Sequence, residues 1–171
     1  MAYLLIALAV VWRVFTHSQN ILPNFAPLGA IALFGGVYLK KKWAVFIPLT
    51  AMAIGDYFIG YYSLAVMLSV YSSFALIAVI GFYLKKNKTL LRIAGATLAG
   101  SLLFFMITNF AVWAAMSMYA KTFAGLIQCY VMALPFFRYT LAGDVFFVTA
   151  LFGSYETVLA WERKRAITEV I

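Results

Sequence analysis

Basic residues in this chain are confined almost entirely to three short clusters that follow or separate long apolar segments. Of the 13 lysines and arginines, ten lie at residues 40–42, 85–92 and 163–165. Lysine and arginine concentrate in this way in the cytoplasmic loops of membrane proteins. Only 11% of the residues are charged and 66% are hydrophobic, whereas soluble domains carry about 25% charged residues. The sequence therefore predicts an all-α, polytopic membrane protein that forms one integral membrane domain over residues 1–171.

Several classes of function are disfavoured by the same sequence. The net charge of +8 could indicate nucleic-acid binding, but there is no basic face with interleaved aromatic residues outside the loop clusters. No HExxH, nucleophile elbow or glycine-rich phosphate loop is present, so we expect neither an enzyme nor a bound cofactor. The single cysteine, Cys129, excludes an intramolecular disulfide. Cys129 is either a small buried hydrophobic residue or a reactive thiol.

Hydrophobic runs and their breaks predict six transmembrane helices. The first lacks a basic n-region and a cleavage site, so we expect a retained span and not a signal peptide. With all three basic clusters in the cytoplasm, both termini are cytoplasmic; a five-span topology would put the last cluster outside. The predicted spans are Ala2–Thr16, Pro27–Leu39, Trp43–Gly60, Leu64–Leu84, Leu90–Thr108 and Leu141–Trp161.

The stretch between the fifth and sixth spans, Phe110–Phe137, is too apolar for an ordinary loop and too interrupted for one span. Within it, Lys121–Leu134 is about 14 residues, or about 21 Å as a helix, and a bilayer core is about 30 Å thick. Pro135 disfavours helix in the residue before it. We therefore predict an extracytoplasmic amphipathic cap between helices five and six, which acts as a lid.

Polar side chains gather at the span ends opposite the basic clusters, and they form the candidate ligand site. Two readings remain open for them. Asp56 and Asp144 either orient a polar ligand together with Arg13 and Arg138, or form structural ion pairs with these arginines. Carboxylates near hydrocarbon are costly unless they serve a site or a bridge. The candidate residues are Arg13, His17, Asn20, Asn24, Asp56, Asn109, Trp113, Arg138, Tyr139 and Asp144.

His17 is the single histidine, and because ordinary metal sites need three or four ligands, we expect no metal site. It remains a pocket residue, an interfacial side chain, or the one protein ligand to a metal carried by a cofactor such as a corrinoid.

Trp113 follows Asn109 by four residues, so the two would share a helix face and Trp113 could form a stacking wall.

Four motifs recur together in a bacterial membrane family that is known only by a domain-of-unknown-function label. Most of residues 13–153 resemble that family. Its size and six-span layout are in turn similar to the substrate-binding S components of energy-coupling-factor vitamin transporters. The motifs are Asn24-Phe-Ala-Pro27, Gly55-Asp56, Thr108-Asn-Phe-Ala-Val-Trp113 and Leu134-Pro-Phe-Phe-Arg138.

The resemblance implies a protein of the bacterial cytoplasmic membrane that binds a vitamin or related micronutrient near the outer face. Its partners would be the small-molecule ligand, the lipid bilayer and a transmembrane coupling protein with ATPases. The alternative is a structural accessory subunit of a larger membrane complex, which binds lipid, pigment or partner helices. The two differ in whether the outer polar cluster surrounds a void or closes on itself.

Overall fold

A computed structural model describes residues 2–18 and 24–168 of the chain, and every regular element within these ranges is an α-helix. Of these helices, α4, α5 and α6 are long and apolar enough to cross a membrane, which is consistent with a membrane protein. Length and composition do not support the predicted crossing by all six. The helices are α1 (Ala2–Ser18), α2 (Leu28–Tyr38), α3 (Lys41–Ile59), α4 (Leu64–Leu84), α5 (Leu90–Ala115) and α6 (Phe123–Thr168).

The shortest helix, α2, forms the centre of the bundle and contacts each of the other five. Its side chains are apolar on every face, and all residues from Ala30 to Val37 are buried. A helix that is apolar all round has to be surrounded by other helices or by lipid. At 11 residues it is only about 16 Å long, about half the thickness of a bilayer core.

Two glycines allow α2 and α4 to approach each other closely. A Cβ placed on Gly36 of α2 would lie 2.8 Å from the Cα of Gly81 in α4, and the reverse holds for a Cβ on Gly81. Close backbone approach of this kind is common between helices in lipid, because burial of apolar surface contributes little to helix association there. In α5, Gly100 likewise faces Ile77 of α4, whereas Gly95 has nothing within 4 Å.

The predicted cap is wrong as a separate element. Helix α5 continues past Thr108 to Ala115, and α6 begins at Phe123 and runs through Pro135 without ending. The Tyr130 hydroxyl donates to the Met106 carbonyl at 2.8 Å, and the ring centroids of Phe105 and Phe137 are 4.8 Å apart. The segment is therefore the first part of α6, packed antiparallel on α5.

Proline can lie inside this helix because a single proline removes only one backbone hydrogen bond, and packing against a neighbouring helix makes that loss tolerable in membrane proteins. Cys129, on the same segment, is 2% exposed, and its thiol donates toward the Asn109 carbonyl at 3.4 Å. It is therefore a buried residue of the α5–α6 interface.

The first two basic clusters meet at one end of the bundle. The Lys88 ammonium lies 2.8 Å from the Glu156 carboxylate and 4.7 Å from the centroid of the Tyr38 ring, and the Tyr38 hydroxyl donates to Glu156. Tyr38 precedes the 40–42 cluster, and Lys88 belongs to the 85–92 cluster. We call this the basic end of the bundle, and the opposite end the non-basic end.

Candidate functional site

A cavity of about 230 Å³ opens toward the non-basic end, between the start of α2, the end of α3 and the facing parts of α4, α5 and α6. Its wall is mostly apolar, with a few polar groups. The lining residues are Asn24, Ala26, Leu28, Gly29, Met52, Asp56, Tyr62, Val70, Phe74, Ile77, Phe104, Thr140 and Asp144.

Non-helical backbone before α2 forms part of this wall. Asn24 has a φ of 66°, a left-handed conformation that asparagine adopts more readily than most residues. The Ala26 amide donates to the Asn24 carbonyl at 3.1 Å, and Pro27 leads into the helix. In membrane proteins, irregular backbone at depth occurs where it is buried in protein or lines a cavity. Asn24 and Ala26 of this segment line the cavity together with Leu28 and Gly29 of α2.

Asp144 of α6 lies on the cavity wall and is only 6% exposed. Its carboxylate accepts a 2.6 Å hydrogen bond from the Ser101 hydroxyl of α5. It also contacts the first turn of α2, since a Cβ on Gly29 would overlap it. A helix N-terminus carries about half a positive charge, so the start of α2 offsets part of the buried negative charge.

Asp56, near the end of α3, is the second carboxylate on the wall and is 1% exposed. It accepts a 3.0 Å hydrogen bond from the Tyr71 hydroxyl of α4. The bond ties the end of α3 to α4 and fixes the carboxylate at the cavity. Burial of two carboxylates at one small cavity is unusual, because each costs several kcal/mol to remove from water.

Aromatic side chains form another part of the wall. The rings of Phe74 and Phe104 lie 5.2 Å apart between centroids and join α4 to α5. A second cavity of about 210 Å³ adjoins the first and shares Asn24, Phe104 and Thr140 with it. Asn109 lines this second cavity, while its side-chain amide donates to the Phe105 carbonyl at 2.8 Å.

The structure thus brings Asn24, Asp56 and Asp144 together at one cavity and places Asn109 at its neighbour. Trp113, Arg138 and Tyr139 line neither. Trp113 lies where α5 ends, and its indole donates to the Ala120 carbonyl at 2.9 Å, so it closes the turn into α6 and is no stacking wall of this cavity.

Within residues 24–168, Arg138 forms no ion pair with Asp56 or Asp144, so the predicted pairing is not found there. The Arg138 guanidinium lies 4.9 Å from the centroid of the Tyr139 ring and donates to its hydroxyl at 3.2 Å. Arg138 is exposed and lies beside Tyr139 on the surface. Arg13 and His17 belong to α1, but their side chains lie outside the part of the chain that the structure describes, as does Asn20 altogether.

Sequence reasoning missed Ser101, Tyr71, Gly29 and Thr140. The sequence contains a signal for Ser101, because it is a polar residue in the middle of an apolar span. A hydroxyl there needs a hydrogen-bond partner, which is often the carbonyl four residues before it. Ser101 contacts both the Thr97 carbonyl, at 3.1 Å, and Asp144. Nothing in the sequence distinguishes Gly29 from the other glycines of α2.

No group of three or more histidine, cysteine, aspartate or glutamate side chains with metal-binding geometry occurs among the described residues. The two cavity carboxylates and their hydroxyl partners instead offer hydrogen-bond acceptors to a ligand. Because these acceptors lie in a largely apolar wall, each bond to them is stronger than it would be in water.

The fold and the cavity define an α-helical protein with helices able to cross a membrane and an internal, mostly apolar cavity that two carboxylates border. The profile of the family of unknown function DUF6580 matches residues 1–167, and the chain belongs to this family. No curated protein and no solved structure matches the chain.

Proposed function

We propose that the protein is a membrane substrate-binding or uptake protein that holds a small ligand in the cavity at its non-basic end. The observation that supports this proposal most strongly is the cavity at the start of α2, where non-helical backbone and two buried carboxylates meet. Broken helices near the middle of a membrane bundle form the substrate sites of many transporters.

The size and lining of the cavity limit the ligand. Small-molecule sites typically enclose about 300–1,000 Å³ and combine apolar walls with a few polar groups. The cavity of about 230 Å³ and its neighbour of about 210 Å³ together suit a small, partly polar molecule. The resemblance to S components is the basis for proposing a micronutrient such as a vitamin. It is also the basis for proposing a separate coupling protein with ATPases, since this chain has no nucleotide-binding motif.

Topology follows from the basic clusters in this proposal. All six helices are embedded in the bacterial cytoplasmic membrane, with α2 surrounded by the other five. The basic end faces the cytoplasm, as do both termini, because lysine and arginine are retained on that side. The cavity then opens toward the outer face.

A structural accessory subunit is the competing function, and it requires the polar groups to close on one another. The cavity at Asp56 and Asp144 favours ligand binding over that alternative. The presence of unfilled space beside buried carboxylates has a cost in stability that a purely structural role does not explain.

The test is mass spectrometry of small molecules that copurify with the protein in mild detergent. Thr140→Trp places a large ring where both cavities meet, so the variant should lose the bound molecule. Thr149→Trp is the matched control, because Thr149 lies on the same helix, is exposed, and likewise donates to the carbonyl four residues before it.

A molecule retained by the unaltered protein and by Thr149→Trp, but lost from Thr140→Trp, would support the proposal. If all three preparations carry the same molecules, or only bulk lipid, the cavity is not a ligand site and the proposal fails.

A further inference from the structure

We infer that the ligand of this cavity is a small organic cation, with an ammonium group held by Asp144 and an apolar body against Phe74 and Phe104. The inference rests on the proposed function, because it names the chemical class of ligand for the same cavity. It follows from the charge of the wall, the size of the cavity and the character of its aromatic side.

Charge is the first consideration. Asp144 is 6% exposed and receives one hydrogen bond, from Ser101. Within residues 24–168, no lysine or arginine forms an ion pair with it; the ion pair found there, Lys88–Glu156, lies at the basic end. The N-terminus of α2 supplies only about half a charge. A buried carboxylate is stabilised mainly by a partner of opposite charge, and a cationic ligand supplies that partner.

The same wall disfavours an anionic ligand. The Asp144 carboxylate on the cavity wall repels a ligand carboxylate or phosphate, and this repulsion is strong in a site of low dielectric. Among the side chains described on this wall, none is a lysine or an arginine that would attract an anion.

The size and the lining of the cavity favour an organic cation over a metal ion as its ligand. The cavity of about 230 Å³ is far larger than a desolvated metal ion needs, and its lining is dominated by apolar side chains such as Phe74, Ile77 and Phe104. Hard metal ions take six or more oxygen ligands. An ammonium group on an apolar body instead places its charge at the carboxylate and its apolar part against the aromatic and aliphatic side chains of the wall.

Three probes of matched shape test the inference: phenethylammonium, phenethyl alcohol and phenylacetate, which are cationic, neutral and anionic at neutral pH. Binding is measured by calorimetry on the protein in lipid nanodiscs, with empty nanodiscs as the background. We expect phenethylammonium to bind about 10- to 100-fold more tightly than the alcohol, the range given by a hydrogen bond to a charged group. Phenylacetate should bind most weakly.

Asp144→Asn should abolish the preference for the cation while the alcohol still binds. Glu156→Gln is the matched control, because it makes the same chemical change in a carboxylate outside the cavity, and it should keep the preference. The order of the three probes on the unaltered protein decides the inference even if Asp144→Asn does not fold.

Equal affinities, a preference for phenylacetate, or a cation preference that survives in Asp144→Asn would overturn the inference. If the alcohol binds at the cavity without any preference for the cation, the ligand class is wrong and the proposed function stands. If none of the probes binds above the empty-nanodisc background, the inference is rejected, whereas the proposed function still depends on the copurification result with Thr140→Trp and Thr149→Trp.

Discussion

The Ser101 hydroxyl donates a 2.6 Å hydrogen bond to the Asp144 carboxylate and so connects the middle of α5 with α6. Both side chains are buried, at 1% and 6% exposure. The bond orients the carboxylate between the first turn of α2 and the cavity. Because a hydroxyl supplies no charge, this hydrogen bond by itself does not compensate an ionised Asp144 inside the bundle.

Neutralising Asp144 should therefore not destabilise the ligand-free protein. The amide of Asp144→Asn can still accept from Ser101, and the variant no longer has to bury a charge. We expect an unchanged or raised melting temperature in detergent. In a structural ion pair, removing one partner costs about 3–5 kcal/mol, so a clear fall in melting temperature would contradict this description of Asp144. The partly exposed Glu156 offers a control, since Glu156→Gln should change stability by less than about 1 kcal/mol.

Gly29 should tolerate no side chain while Asp144 is present. A Cβ at Gly29 would overlap the carboxylate, and overpacking of this kind costs about 1–3 kcal/mol. Gly29→Ala is expected to lower the free energy of unfolding by that amount. In the double variant with the shorter Asp144→Ser, the loss should be smaller than the sum of the losses in the two single variants. Strict additivity would show that the two residues are not in contact. Gly95→Ala, at a glycine with nothing within 4 Å, is the control and should cost little.

Lys121 should stabilise the turn that joins α5 to α6. Its ammonium donates to the Trp113 and Met116 carbonyls at the end of α5, where a positive charge is favourable. Lys121→Met should lower the free energy of unfolding by about 1 kcal/mol, as for the loss of a surface cap. Denaturant titration measures the change. An equal loss in Lys86→Met, an exposed lysine at the other end of the bundle, would point to net charge as the cause.

Reporters fused after Lys42, after Lys88 and at the C-terminus should all be cytoplasmic. The basic clusters dominate orientation, and the contact of Lys88 with Tyr38 brings the first two of them to one end of the bundle. Alkaline phosphatase and fluorescent-protein fusions measure this in intact cells. A periplasmic signal at any one position would reverse the assignment of the cavity to the outer face.

Much of the helix pattern could be predicted because apolar runs and their breaks are local features. Helix α4 begins and ends at the predicted residues, Leu64 and Leu84. The end of α5 and the start of α6 could not be predicted in the same way. The prediction took Pro135 as a boundary, but the contacts of Tyr130 and Phe137 with α5 hold the helix together across it.

The candidate site was predicted in part, and its misses have a common cause. Asp56 and Asp144 are marked by their charge in apolar spans, which a sequence displays directly. Ser101 and Gly29 matter only because α2, α5 and α6 meet at Asp144, and such packing is not encoded by spacing along one helix. Arg138 was grouped with the carboxylates by its position in the chain, whereas its side chain faces outward to Tyr139.

An experimental density map of the protein, purified from native membranes into nanodiscs without added ligand, tests the central claim most directly. The cavity between Asp144 and Phe104 is where a bound molecule should be seen. We predict non-protein density in contact with the Asp144 carboxylate and the Phe104 ring. A cavity closed by its own side chains, with Asp144 paired to a basic residue of the chain, would contradict the proposal that this is a ligand site.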